Sequence, residues 1–193
     1  MSLMLWWWKR SQRSARLRRS SYPRTHRWQE VRFSGTAQMS RRKNFLPDLA
    51  SGRKIGAFCL TEPDAGTDAS RQLATAVDQG DHYVLNAHKK FITNGGLAGT
   101  YIVFAMTDKS KGNAGISTFI VDGDSEGIRT GKLEKKMGIR ASQTAEMHSK
   151  TSLFRRKTVW GNRGRASVSL WGRWTAEESG VAAQVSGDRA GSV

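Results

Sequence analysis

The chain has little cysteine, little proline and few acids: one cysteine (Cys59), three prolines, and 16 Asp/Glu against 32 Lys/Arg. A lone cysteine excludes an internal disulfide framework and fits a reducing compartment, which points to the cytoplasm or, as the alternative, the mitochondrial matrix. No apolar run is long enough to cross a bilayer, and no hydrophobic secretory core is present, so no membrane association is expected. The shortage of acids leaves a net charge of +16. Taken as a total, that charge points to nucleic acid or an anionic surface.

The charge is not spread evenly. Residues 1–42 hold 11 Lys/Arg and one acid (Glu30), residues 43–148 hold 13 and 12, and residues 149–193 hold 8 and 3. All seven tryptophans (Trp6, Trp7, Trp8, Trp28, Trp160, Trp171, Trp174) also fall in the two outer segments. A nearly neutral centre between basic, Trp-rich flanks predicts three segments rather than one continuous core. The first flank is open to two readings: a disordered basic arm, or a nucleic-acid tether with Arg for phosphates and Trp for stacking. Its Arg/Ser-rich, acid-poor composition also has the look of an organellar transit peptide.

Within the centre, Phe45–Gly52 reads as the end of a helix running into a turn. Lys54–Leu60 reads as a buried strand. Leu73–Val77 and Tyr83–Leu85, joined through Asp78-Gln79-Gly80-Asp81, read as a hairpin. Tyr101–Met106 and Ile116–Val121 are strand-like around a polar loop, Thr107–Gly115, and a weaker strand follows near Ile128–Leu133. Short strands between turn clusters predict a mainly β fold, a small antiparallel barrel or sandwich.

Two stretches carry the chemistry. In Phe58-Cys59-Leu60-Thr61-Glu62-Pro63-Asp64-Ala65-Gly66-Thr67-Asp68, an apolar run ends in a turn rich in hydroxyls and backbone N–H groups, with Gly66 free of a side chain. Consecutive N–H groups in such a turn can cradle a pyrophosphate. In Lys89-Lys90-Phe91-Ile92-Thr93-Asn94-Gly95-Gly96, a second turn offers the flat face of Phe91 and the hydroxyl of Thr93, a combination suited to a flavin ring. On spacing alone these are equally two ordinary β-turns with capping hydroxyls.

The identity of the residues adds to this. The run Ile55–Gln143 resembles the middle domain of acyl-CoA dehydrogenases, most closely the short-chain, butyryl-type members. The resemblance is carried by the first stretch, by Phe91-Ile92-Thr93-Asn94-Gly95-Gly96 and by Lys136-Met137-Gly138-Ile139-Arg140, in family order and spacing. Thr67 stands where the family usually has serine, and the hydroxyl is kept. The resemblance implies an antiparallel β-barrel between two helical domains, with FAD as cofactor and an acyl-CoA thioester as substrate. It implies an electron-transferring flavoprotein as partner and a homo-oligomer. It assigns flavin contacts to Phe58, Cys59, Leu60, Thr61, Gly66, Thr67, Phe91, Ile92 and Thr93, with Thr61 near flavin N5 and Thr67 also touching the thioester. An acyl-CoA oxidase or a flavin monooxygenase of the same fold is the alternative within the fold. A basic nucleic-acid-binding module built on the flanks is the alternative of another class.

The dehydrogenation requires a carboxylate to take the α-proton while the β-hydride goes to the flavin. In the family that glutamate lies in the C-terminal helical domain, downstream of every residue matched here, so no catalytic residue is assigned, and the chain is expected to be an inactive fragment. Glu62 belongs to the flavin turn and Glu146 to the start of a strand. His82 and His88 have no Cys or His at metal-ligand spacing, so no metal is expected, and Cys59 has no nearby His to activate it. Lys132–Lys136 reads as a solvated face or as a contact for CoA phosphate.

The flanks explain themselves best as displaced reading frames. Free choice of codons for His148–Gly161, read one base earlier, yields a family-like continuation, and Ala166–Gly180 and Leu5–Phe33 behave alike. Frameshifts near Phe33–Arg42 and near Met147 are therefore expected. The resulting organisation is 1–42 as a basic segment, disordered or partly helical; 43–148 as the barrel domain; and 149–193 as a second poorly ordered segment.

Overall fold

Each turn in the described part of the chain coincides with a residue suited to leave regular structure. The computed structural model describes residues 39–138, 140, 142–155 and 159–160, all within one compact unit, residues 21–167. The tryptophans at 6–8, 28, 171 and 174, and the readings of segments 1–38, 156–158 and 161–193, lie outside the described residues. Helix α1 (Met39–Ala50) stops at Gly52, whose φ of 76° only glycine adopts without strain. There the Gly52 N–H donates to the Leu49 carbonyl at 3.2 Å and the Lys54 N–H to that of Asp48 at 3.1 Å. Leu49 is the helix's buried anchor.

Eight strands follow: β1 (Gly56–Cys59), β2 (Thr75–Asp78), β3 (His82–Thr93), β4 (Thr100–Met106), β5 (Ile116–Asp122), β6 (Ile128–Leu133), β7 (Thr144–Arg155) and β8 (Val159–Trp160). They form one curled sheet in the order β6-β7-β3-β2-β4-β5-β8, with β1 also paired to β4. The predicted mainly β, barrel-like class is what the chain adopts, with an internal exception: β1 and β2 both run parallel to β4, against the same edge, while the remaining pairs are antiparallel. A parallel pair needs a long connection, and the candidate turn at 61–68 lies within the one that separates β1 from its partner β4.

The predicted hairpin forms, its first strand one to two residues later than the sequence suggests and its second beginning one residue earlier, at His82. Asp78 pairs with Tyr83, and its carboxylate accepts the Gly80 N–H at 3.0 Å in a turn where Gly80 has φ 97°. Leu73 and Ala74 fall outside β2 because their N–H groups go elsewhere, to the Glu62 carboxylate. β4 and β5 are buried along nearly their whole length, which is why both read as continuous apolar runs rather than alternating ones. The core gathers Cys59, Tyr83, Leu85, Ile92, Val103, Phe119, Val121, Met147 and Phe154. Tyr83 packs edge-on against Phe119 with ring centroids 5.2 Å apart. Between β4 and β5, the polar loop is shaped into short 3-10 turns capped by Asp108, which accepts the Ser110 N–H at 3.1 Å.

The segment boundary expected at residue 148 falls inside β7. Pairing with β3 continues from Met147 through His148 and Ser149 to Arg155, and Val159 pairs with Phe119 to add β8. The strand persists because its inward positions stay small or apolar: Ser149, Ser152 and Phe154 are buried while Lys150 and Leu153 face out. A register shift opposite Leu85–Ala87 is taken up at Thr151, φ 50°, whose N–H donates to the Asn86 side chain at 2.9 Å.

Candidate functional site

The two chemistry-bearing stretches are neighbours. The Lys90 N–H donates to the Thr61 carbonyl at 2.8 Å, so the turn after β1 rests against the end of β3. β1 delivers Phe58, half-buried and edge-on to Phe104 at 5.0 Å, then Cys59 and Leu60, both buried. Thr61 is half-buried. Glu62 and Ala65 close the turn by exchanging backbone hydrogen bonds at 3.0 and 3.2 Å, which leaves Gly66, Thr67 and Asp68 exposed. Gly66 has no positive φ, and a Cβ added there would meet nothing within 4 Å. The fold itself therefore does not require this glycine; the space above it is open to a ligand.

A buried ion pair that the sequence reading did not single out holds this turn in place. The Lys89 ammonium donates to Glu62 Oε1 at 2.7 Å, to the Leu60 carbonyl at 3.0 Å and to Gln72 Oε1 at 3.1 Å, which uses all three of its protons. Glu62 in turn accepts the Leu73 N–H at 2.6 Å and the Ala74 N–H at 3.1 Å. Burial pushes the Lys89 ammonium's pKa down and the facing carboxylate pushes it back up; burial prevails. One lysine thus ties β3 to the end of β1, to the turn and to the start of β2. The signal in the sequence was a lysine inside an otherwise alternating strand, at a position whose neighbours in the pattern, Ala87 and Leu85, point inward.

Immediately after Lys89 the strand departs from regularity. The stretch 89–93, read from sequence as a turn, is strand, with a register shift against β7 between Lys89 and Ile92. The turn proper begins at Asn94. Phe91 lies within the shift at φ 57°, in the left-handed region that side-chain-bearing residues avoid. Its ring is 57% exposed, with the Lys90 ammonium 5.2 Å from its centre. Ile92 is then returned to the core and Thr93 faces out. Asn94, at φ 66°, donates its side-chain amide to the Gly56 carbonyl at 3.1 Å and its N–H to the Gln143 carbonyl at 2.8 Å, fixing the far end of the stretch to the start of β1. Tyr101 adds a bond from its hydroxyl to the Gly95 carbonyl at 2.5 Å, and burial raises its phenol to about 12.

Of the nine residues predicted to meet a flavin, Gly66, Thr67, Phe91 and Thr93 are exposed, and Phe58 and Thr61 are partly so. Cys59, Leu60 and Ile92 turn their side chains into the core, so only their backbone can reach a ligand. Burial also lifts the Cys59 thiol far above its ordinary value, with a small opposing effect of Lys89, which makes it inert as a nucleophile. Glu62, saturated by Lys89 and two N–H groups, is not available as a base. Residues 133–136 of the basic stretch border a cleft of about 460 Å³ with Arg140, Ser142, Gln143 and Thr144. There Lys136 is turned inward, donating to the Ser142 carbonyl at 2.5 Å, while Lys132 and Lys135 are exposed.

An exposed aromatic ring, hydroxyls and a glycine with open space above it, on two stretches joined by the Lys90–Thr61 bond, suit a flat conjugated ring carrying a phosphate tail. The family model described as acyl-CoA dehydrogenase, middle domain, matches residues 57–152. Short-chain specific acyl-CoA dehydrogenases of Clostridium acetobutylicum and Megasphaera elsdenii are 44% and 47% identical over 76% and 77% of this chain. The chain spans 38% and 39% of those two relatives. Among solved structures, butyryl-CoA dehydrogenase from Megasphaera elsdenii superposes with a TM-score of 0.71 at 45% identity, over 72% of this chain and 37% of that one. An acyl-CoA dehydrogenase complexed with FAD from Bacillus anthracis superposes with a TM-score of 0.67 at 35% identity, over 73% of this chain and 24% of that one. By sequence and fold, the chain belongs to the acyl-CoA dehydrogenase family, of which it carries the middle β domain.

Proposed function

We propose that the wall formed by residues 58–67 and 91–93 is the flavin-facing surface of a short-chain acyl-CoA dehydrogenase, with FAD as its cofactor. The observation that carries this reading is the display of Phe91. A large apolar ring held outward at a strained φ, with the Lys90 N–H bonded to the Thr61 carbonyl, has no role in the core and suits stacking or edge contact with an isoalloxazine. When bound, FAD supplies the acceptor for a hydride. The chain's own residues orient it: backbone groups of Phe58, Cys59, Leu60 and Ile92 line the ring edge, and the hydroxyls of Thr61 and Thr93 donate to its heteroatoms. Gly66 and Thr67 take the pyrophosphate, and Thr67 also reaches the thioester of an acyl-CoA. Electron-transferring flavoprotein is the electron-accepting partner, the assembled enzyme is a homo-oligomer, and its compartment is the reducing cytoplasm.

The second half of the reaction, removal of the α-proton, has no agent among the described residues of this wall. Glu62 is the carboxylate in the turn, and it is committed to Lys89, Leu73 and Ala74. The chain is therefore proposed to bind flavin without dehydrogenating acyl-CoA by itself. Titration of the purified chain with FAD, followed by flavin fluorescence, is expected to saturate; absence of saturable binding overturns the flavin reading. Acyl-CoA-dependent dye reduction is expected at background, and turnover above it overturns the inactivity without touching the flavin reading.

A further inference from the structure

Away from the flavin wall, β3 and β7 bring together three side chains that are scattered in sequence. His88 on β3 pairs directly across from His148 on β7, and Glu146 lies two residues before His148, hence on the same face of that strand. The two imidazoles stack with centroids 4.3 Å apart and planes inclined by 22°, so a shared ion requires the rings to tilt toward one another. His88 Nε2 lies 3.7 Å from Glu146 Oε2, and His148 Nε2 lies 3.5 Å from the same oxygen. The three ligand atoms all lie within 4.8 Å of one another.

We propose that His88, His148 and Glu146 form a binding site for a divalent ion of the zinc type on the outer face of the β3–β7–β6 sheet. Around such an ion, bonds of about 2.0–2.1 Å put neighbouring tetrahedral ligands about 3.3 Å apart, close to the two separations found here. Two imidazole nitrogens and one carboxylate oxygen favour zinc, copper or nickel over magnesium or calcium. The three donors leave a coordination position for water or an exogenous ligand.

The surroundings support the geometry. Glycine stands at position 131 of β6, where a Cβ would come within 2.5 Å of His148 Nε2 and 2.9 Å of Glu146 Cβ, so the imidazole is free to lie across that strand. Lys90 and Arg129, which pairs opposite His148, are the cations beside the cluster, and they oppose a metal ion electrostatically. Chelation by three convergent donors is what has to exceed that repulsion. The site is independent of the flavin reading: none of its three residues belongs to the flavin wall.

The test is calorimetric titration of the full chain with Zn²⁺ at neutral pH, with Mg²⁺ in parallel. One saturable Zn²⁺ equivalent is expected, with no saturable Mg²⁺ binding. His88→Ala, whose side chain is half exposed, and His148→Ala are each expected to weaken Zn²⁺ binding at least about tenfold. Glu146→Gln keeps the shape and loses the charge, and is expected to weaken it likewise. Circular dichroism of each variant confirms that the sheet is kept; should His148→Ala unfold, His88→Ala and Glu146→Gln decide alone. No saturable Zn²⁺ binding, equal binding of Mg²⁺, or binding unchanged in His88→Ala and Glu146→Gln overturns the proposal.

Discussion

Lys89 and Phe91 stand two residues apart on one strand and invert the usual rule of burial. The charged side chain is fully inside and the aromatic one is mostly outside. The lysine is inside because every one of its protons has an acceptor and its charge has a partner, which offsets the loss of water. The phenylalanine is outside because a register shift at a left-handed backbone turns it there, against the tendency of an apolar ring. The first inversion serves the fold, by locking the turn 61–68 onto β3. The second is what the proposed flavin contact uses. Local departures from the ordinary pattern are where a stable scaffold is adapted to function, and this strand shows one of each kind.

Breaking the inner half of the pair has the largest expected effect. Lys89→Ala leaves Glu62 buried without its cation and is expected to cost about 3–5 kcal/mol in chemical denaturation. The double variant Lys89→Met with Glu62→Leu removes both charges but still orphans the Leu73 and Ala74 N–H groups, so it recovers only part of that loss. A loss under about 1 kcal/mol for Lys89→Ala would show that the ion pair is not what fixes the turn.

The outer half is expected to separate binding from stability. Phe91→Ala weakens FAD binding about tenfold, roughly 1.4 kcal/mol, with an unfolding midpoint close to that of the parent. Phe91→Gly weakens FAD binding equally and, by relieving the left-handed backbone, leaves stability equal or raises it by about 0.5 kcal/mol. Destabilisation by more than about 1 kcal/mol in either variant would place the ring in the fold's own packing and remove the contrast with Lys89.

The alkaline limb of stability sharpens the comparison further. Tyr101 has a phenol raised from 10.0 to about 12 in the folded chain. The unfolded phenol therefore ionises first, and the stability contributed by the folded, neutral hydroxyl is complete below pH 10 and lost as pH rises toward 12. The Cys59 thiol, raised by burial, acts in the same direction above its ordinary value of 9.0. Lys89, held below its ordinary value of 10.5, acts the other way, because there the unfolded chain binds the extra proton. Tyr101→Phe is expected to flatten the decline between pH 10 and 12 while costing about 1 kcal/mol at neutral pH, through the bond to the Gly95 carbonyl. A decline as steep as the parent's would assign the alkaline loss to other groups.

Much of this was legible from residues alone, for identifiable reasons. Gly52 and Gly80 announced their turns because only glycine takes those backbone angles cheaply. β4 and β5 announced themselves because a strand buried on both faces is a continuous apolar run. The stretch proposed to face a flavin stood out by its turn chemistry and the resemblance it carries. The hidden parts share a different character. Glu62 read as a turn acid because its partner Lys89 lies 27 residues away. The register shift at Phe91 depends on the relation of β3 to β7, which no local propensity encodes. His88 looked solitary because its neighbours, His148 and Glu146, belong to a strand that pairs with it only in the folded sheet.

The sequence by itself determined the class of fold and where the turns and the buried strands β4 and β5 lie, because burial patterns and turn residues are local properties. The tertiary structure alone decided which charges are paired, which aromatic ring is presented and which histidines meet. Those outcomes depend on strand register, and register is set only when distant segments are packed against one another.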